Sequence, residues 1–203
     1  MKKVLLAIPT SGNLDYRIVE FMLDMYNQKK YKVTIHISKL VGIEANRNQI
    51  VKALLNSTCD YLLMVDTDNP PLDNPLDLIK EDKDIIGLPT PINMSCIRGM
   101  SFFKYNIYKD DKPLKDGEGL QKVDAVGTGC ILIKREVFEK LGDNPFTPER
   151  YEDDRIKVGE DIMFCRRVKK AGIDIWAHWD YKCHHYKEID LTTLPVEIFN
   201  KLI

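Results

Sequence analysis

Residues 61–71 read YLLMVDTDNPP. Five apolar residues stop at two carboxylates, an amide and two prolines. A short apolar run bounded by turn formers predicts a buried strand. Asp66 and Asp68 lie two apart, so on a strand they share a face. Paired carboxylates would then sit at the carboxyl edge of a sheet, where open α/β sheets bind ligands. Mg²⁺ and Mn²⁺ take oxygen ligands of this kind, commonly one or two carboxylates together with substrate phosphates. The plain alternative is a polar turn, since Asp, Asn and Pro are ordinary turn residues.

The chain before this stretch supports a sheet. Residues 3–8 form a short apolar strand, and Pro9-Thr10-Ser11-Gly12 follows as a small polar loop. That loop has neither GxGxxG nor GxxxxGK[ST], so neither phosphate-cradle mechanism applies. Asn13 is placed to cap a helix reaching residue 29, with Ile18, Phe21, Met22 and Met25 on one face. Residues 31–38 alternate, with Val33, Ile35 and Ile37 against Lys32, Thr34 and His36, which puts His36 at the surface. Residues 44–56 predict a helix with Ile50, Val51, Leu54 and Leu55 inward. Arg47 and Asn48 near its start could face a phosphate or simply the solvent. The order β-α-β-α-β implies a parallel sheet with right-handed crossovers.

The second half is less regular. A Pro-rich acidic stretch over 69–84 leads to a strand at 84–88. Residues 89–100 read as a loop carrying Arg98 and Gly99, 102–108 as a strand, and 109–119 as a charged hairpin or mobile loop. Gly127-Thr128-Gly129 precedes a strand and a helix over 135–141. Glycines flanking Thr128 allow either close backbone approach to a ligand or a β-bulge. A helix opens after Gly159 with Glu160 and Asp161 and ends at Gly172. Carboxylates there complement the helix dipole, or one of them serves as a general base. A strand over 173–177 follows, then Cys183-His184-His185. Neighbouring residues on an extended segment face opposite sides, so at most one of the two histidines is a ligand. A short helix is expected over 195–203.

Composition closes off other classes. The 203 residues carry 30 Lys plus Arg against 31 Asp plus Glu, a net charge of −1, which favours neither nucleic acid nor an anionic membrane. No apolar run is long enough for a transmembrane segment. The run over 4–8 is too short for a signal-peptide core. Five scattered cysteines without CxxC spacing argue for reduced thiols, a cytoplasmic location and no structural zinc. No linker or repeat divides the chain. One domain is expected over 1–203, with a nucleotide-binding half at about 1–90 and an acceptor-side half at about 91–203. The chain end inside a helix suggests further domains of a longer protein.

Six pieces in order resemble the GT-A glycosyltransferases, specifically inverting family-2-like enzymes: VLLAIPTSG, RNQIVKALL, YLLMVDTDN, GTGCILIKREVFEKLG, GEDIMFCRRVKKAGIDIW and a late His. The likeness runs over nearly the whole chain. A narrower resemblance is to virus-encoded members that build capsid glycans. The resemblance implies a Rossmann-like, mostly parallel sheet flanked by helices, with a small antiparallel portion in the second half. It implies an enzyme that moves a hexose or deoxyhexose from a nucleotide sugar, UDP-sugar favoured, to a hydroxyl of a glycan or glycoprotein acceptor. By the same resemblance, Asp66-Thr67-Asp68 matches the DxD motif that holds Mn²⁺ or Mg²⁺ against the diphosphate. Pro9, Thr10 and Ser11 match the nucleoside cradle, and Arg47, Gly127, Thr128 and Gly129 join the donor site. Asp161 matches the acceptor base. His185 matches the third metal ligand, with His184 as the alternative because relatives often carry Cys-Gly-His there. Two other readings compete. A sugar-phosphate nucleotidyltransferase needs the same layout, but the first loop lacks that family's Gly-rich, basic sequence. A catalytically inactive nucleotide-sugar binding module would need no intact Asp161.

Overall fold

In the computed structural model, which describes residues 1–97 and 100–187, fourteen strands and four α-helices follow one another. The strands are β1 (Lys3–Pro9), β2 (Lys32–Ser38), β3 (Tyr61–Val65), β4 (Ile85–Gly87), β5 (Pro91–Ile97), β6 (Met100–Tyr105), β7 (Ile107–Lys109), β8 (Lys112–Pro113), β9 (Leu120–Val123), β10 (Ala125–Val126), β11 (Cys130–Lys134), β12 (Glu149–Arg150), β13 (Ile156–Val158) and β14 (Ile175–His178). The helices are α1 (Tyr16–Asn27), α2 (Ile43–Leu55), α3 (Arg135–Leu141) and α4 (Glu160–Lys170). Arg98, Gly99 and the helix expected over 195–203 lie outside the described residues.

Seven strands form the central sheet in the order β2-β1-β3-β11-β4-β14-β9. β1 pairs in parallel with both β2 and β3, and β4 in parallel with β14. β11 is antiparallel to β3 and β4, and β9 to β14. The sheet is thus α/β and mostly parallel, as expected, with small antiparallel sheets in the second half. Both faces are covered, which is why its strands read as near-continuous apolar runs. Leu5, Leu62, Met64, Ile131 and Ile133 pack on one face beneath α2, α3 and α4. Val4, Leu6, Leu63, Val65 and Leu132 pack on the other, against Ile18, Phe21 and Met22 of α1. The stacked rings of Phe146 and Phe164, 4.5 Å apart, with Phe138 beside them, anchor α4 to the first face.

The order β2-β1-β3 places the connection reversal between β1 and β3. Chains leaving these two strands diverge there and open a crevice at their carboxyl ends. Antiparallel β11 adds its own beginning to the same edge, because Cys130 lies opposite Val65.

Several local expectations are corrected. Asp15, not Asn13, caps α1, its Oδ1 accepting from the Arg17 amide at 2.9 Å. Residues 91–97 are a strand rather than a loop, paired antiparallel with β6. Of the two readings offered for the charged stretch, the hairpin holds at its start, where a two-residue reversal at Asp110-Asp111, both at positive φ, is of the type that suits strand twist. Strand alternation fails at the end of β2, where Ile37 is exposed and Ser38 buried. There the Ser38 hydroxyl is tied to Asn46 Oδ1 at 3.0 Å. His36, expected at the surface, is half-buried, and burial holds its imidazole below the usual range.

Candidate active site

Two adjoining hollows open at the carboxyl ends of β1 and β3. One, of about 360 Å³, is lined by Pro9, Thr10, Ser11, Gly42, Asn46, Asp66, Thr67 and Asp68, among others. The other, of about 280 Å³, is lined by Arg47, Asp66, Asp68, Asn69, Thr90, Asn106, Gly127, Thr128, Gly129, Glu160, Asp161, His185 and Lys187, with Ile43 and Ile92. Asp66, Asp68 and Ile43 are common to both. Pro9, Thr10, Ser11, Arg47, Asp66, Thr67, Asp68, Gly127, Thr128, Gly129, Asp161 and His185 each line one hollow or the other, as does Glu160, the other acid at the start of α4. Asn48 and His184 line neither; Asn48 Oδ1 instead accepts from the Phe146 amide at 3.0 Å. Asn69, Thr90, Asn106 and Lys187 were not singled out; Asn69 adjoins residues that were, whereas Lys187 and Asn106 carry no local signal.

Asp66 and Asp68 do not share the face of a strand. β3 ends at Val65, and the chain turns, the Asn69 amide donating to the Asp66 carbonyl at 3.1 Å. The turn is pinned by the Asp66 amide, which donates to the Gly129 carbonyl at 2.8 Å. The two carboxylates therefore diverge to different partners. Asp66 accepts from Arg47 Nη2 at 3.1 and 3.2 Å, and the other end of that guanidinium pairs with Glu160. Arg47 is only 5% exposed, so it is a buried clamp between two acids rather than part of a solvated helix face. Its Nε is buried without a partner among the described residues. Burial raises the Asp66 carboxyl above its ordinary range, with Arg47 pulling the other way.

Asp68 faces the chain end. Its Oδ2 lies 2.7 Å from Lys187 Nζ and 3.4 Å from His185 Nε2. His185 Nδ1 is 2.5 Å from the Pro91 carbonyl, which can only accept, so Nδ1 carries the proton. In the neutral ring the Nε2 lone pair then faces a carboxylate oxygen. Two lone-pair donors held this way suit a cation between them, and the imidazole–carbonyl bond is the usual support for a ligating His. His184 lies in neither lining; its ring stacks with Tyr186 at 5.1 Å. The segment carrying both histidines runs antiparallel to the turn: the Tyr186 amide donates to the Asp68 carbonyl, the His184 amide to the Pro70 carbonyl, and the Leu72 amide to the Lys182 carbonyl. Asn69 Nδ2 adds a bond to the His184 carbonyl at 3.1 Å.

Among the described residues no three His, Cys, Asp or Glu side chains are gathered as a ready metal cluster. Asp68 and His185 fit a divalent ion as carboxylate and imidazole donors, while Asp66 is committed to Arg47. Charge balance points the same way. The second hollow has four carboxylates against the fixed cations Arg47 and Lys187. A nucleoside diphosphate entering such a site needs added positive charge.

Gly127 and Gly129 are explained by their own neighbours. A side chain at 127 would lie 2.8 Å from Asn106 Cβ, and one at 129 would lie 2.7 Å from Asn69 Oδ1. The glycines let the loop sit flat on two buried amides, so neither expectation for them, ligand approach or β-bulge, is needed to account for them. Asp161 stands in the first turn of α4, its Oδ1 accepting from the Ile162 amide at 2.7 Å. Among the described residues it forms no ion pair, in contrast to Glu160. The four cysteines among residues with described side chains, Cys59, Cys130, Cys165 and Cys183, are free and buried. No described helix is long and apolar enough to cross a membrane.

No family model and no curated protein sequence matches this chain. Solved structures do. The chain is similar to A197 from STIV, with a TM-score of 0.65 and 19% identity over 93% of this chain and 87% of that one. It is similar to a mutant Drosophila β1,4-galactosyltransferase 7 in complex with manganese, UDP-Gal and xylobiose, with a TM-score of 0.51 and 16% identity over 93% and 72% of the two chains. GalNAc-T7 with UDP, GalNAc and Mn²⁺ gives a TM-score of 0.54 and 12% identity over 96% of this chain and 45% of that one. At these identities the likeness establishes the fold, which is the GT-A-like fold of nucleotide-sugar transferases.

Proposed function

We propose that this protein is a metal-dependent glycosyltransferase that moves a hexosyl or deoxyhexosyl group from a nucleotide sugar, UDP-sugar favoured, to a glycan hydroxyl with inversion. The observation that carries the reading is convergence. The loop after β1, the turn after β3, the start of β11, the first turn of α4 and the late His meet around two adjoining hollows at the sheet's switch point. The complexes of the structural neighbours with UDP compounds and manganese support the donor class.

In this reading the hollow at Pro9, Thr10 and Ser11 takes the nucleoside. Asp68 and His185 hold Mn²⁺ or Mg²⁺, with Asp66 completing the acidic motif. The chemistry such an ion supplies when bound is neutralisation of charge on the departing nucleoside diphosphate. Arg47 and Lys187 offer further cationic contacts to phosphate oxygens. Asp161 takes the proton from the acceptor hydroxyl as that oxygen bonds to the anomeric carbon and the carbon–phosphate-oxygen bond breaks. Glu160 is the weaker candidate base, because Arg47 already neutralises it. Water must be kept out for transfer to beat hydrolysis. The proposed location is the cytoplasm, and the proposed layout is one domain over 1–203. A role in viral capsid-glycan assembly is the narrower form of the proposal, carried by sequence resemblance alone.

The competing enzyme class, a nucleotidyltransferase, is separated by product. Protein incubated with Mn²⁺, UDP-sugars and a glycan acceptor should release UDP as the acceptor gains the sugar. Pyrophosphate formed from UTP and a sugar phosphate, with no UDP release from UDP-sugars, would transfer the assignment to that class.

A further inference from the structure

Helix α1 is apolar on two sides. One side buries Ile18, Phe21, Met22 and Met25 against the sheet. The other carries Tyr16, Val19, Leu23 and Tyr26, which are 67%, 36%, 53% and 61% exposed. These four stand at i, i+3, i+7 and i+10, so they line up along one outward stripe. A surface helix needs one apolar face for its own core. A second, exposed and continuous, marks a place where something docks.

The described chain ends beside this helix. The Arg17 guanidinium carbon, in the first turn of α1 and one residue from Tyr16, lies 3.6 Å from the centre of the Tyr186 ring. Sixteen residues follow Lys187. On the helix expected over 195–203, Val196, Ile198, Phe199, Leu202 and Ile203 fall on one side, and Glu197, Asn200 and Lys201 on the other. Nine helical residues extend about 13 Å, against about 15 Å for the stripe from Tyr16 to Tyr26. Residues 188–194 reach about 23 Å when extended, enough to lay that apolar side on the stripe from the end where the chain emerges. A second copy is a poorer occupant. Laid antiparallel on the stripe, it would align the exposed Glu20 and Asp24 of both copies along one flank, where like charges repel.

We propose that the exposed stripe of α1 is the docking surface for residues 188–203 of the same chain, with Phe199 and its apolar neighbours seated on Leu23. Docking there anchors the segment that carries His185 and Lys187 from beyond its end, where the main-chain bonds to residues 68–72 stop. The proposal stands apart from the glycosyltransferase reading and does not depend on it.

Hydrogen exchange on the full chain, read by mass spectrometry, tests this, because docked segments exchange more slowly than undocked ones. In wild type the amides of residues 195–203 should exchange more slowly than in a free peptide of that sequence. Leu23→Asp changes a side chain that is exposed unless the segment covers it, so the fold should survive. It should abolish the protection of 195–203 while β1 and β3 stay protected. Phe199→Asp should do the same from the other partner. Sedimentation of wild type and Leu23→Asp should show no dimer that the substitution dissociates. Absence of protection over 195–203 in wild type would overturn the proposal, as would protection that survives Leu23→Asp. A wild-type dimer that Leu23→Asp splits would also overturn it, since a second copy would then be the occupant.

Discussion

At the scale of single residues, the proposed mechanism separates groups that hold from a group that reacts. Among the described residues, the Asp68 carboxylate has polar partners only in the late segment, His185 and Lys187, and Asp68 is not part of the core. Asp68→Ala should therefore fold and melt close to wild type while losing Mn²⁺-dependent UDP binding in calorimetry. His185→Ala should weaken that binding more than His184→Ala, because only His185 faces Asp68; the reverse ranking would move the ligand to His184. Asp161→Asn keeps the bond from the Ile162 amide and removes basicity. Transfer to a glycan acceptor should fall by about 10²–10⁴-fold, the usual share of general acid–base catalysis. UDP·Mn²⁺ affinity should stay near wild type, and near-normal turnover would leave Asp161 as a simple helix-end acid. Arg47 behaves differently from all three. Its side chain is buried between Asp66 and Glu160, and removing one partner of a buried ionic set costs about 3–5 kcal/mol. Arg47→Ala should accordingly show as a large drop in the midpoint of chemical denaturation. Asp66 and Asp68, picked out by their spacing, both line the candidate hollows, but not with the geometry that spacing implied. A strand reading predicts one shared face, whereas the turn that begins at Asp66 sends the two carboxylates to opposite partners.

At the scale of elements, the groups proposed to hold the metal depend on two antiparallel segments, 68–72 and 182–186, joined by main-chain bonds and by Asn69 Nδ2. Asn69 is 4% exposed, and its amide also fills the space beside Gly129. Asn69→Ala should lose about 1–3 kcal/mol of stability, the cost of leaving a buried polar partner unpaired. It should also lower Mn²⁺ affinity by loosening the segment that carries His185. Retained Mn²⁺ affinity in a destabilised Asn69→Ala protein would show that the segment is held by its main-chain bonds alone. The elements were legible where periodicity was strong. β1, β3, β11, α2 and α4 fall within a residue or two of expectation because their apolar patterns are set by burial on known faces. The strand β5 was not legible, since Pro91 and an irregular polar mixture mask a hairpin arm whose partner β6 supplies the order. Nor was the cap of α1, where Asn13 and Asp15 have equal chemistry and only the backbone turn chooses.

At the scale of the molecule, seven strands drawn from both halves of the chain make one sheet, and the site lies where its connections diverge. That placement was legible once β-α-β-α-β was read, because the rule that ligands occupy the switch point needs only strand order. The antiparallel insertion of β11 was not, and it is what brings Gly127, Thr128 and Gly129 from distant sequence to the edge beside Asp66. Asn106 and Lys187 were invisible for the same reason: long-range packing, not local pattern, brings them to the hollow. The central claim is that the acidic hollow binds a nucleotide sugar only together with a divalent cation. A thermal-shift titration tests it most directly, since a ligand specific to the folded state raises apparent stability. UDP-glucose and UDP-galactose are each added with Mn²⁺ and with chelator, to wild type and to Asp68→Ala. The account predicts a rise in melting temperature for wild type with Mn²⁺ and at least one UDP-hexose together, and none with either component alone or in Asp68→Ala. An equal rise in chelator, or an undiminished rise in Asp68→Ala, would contradict it.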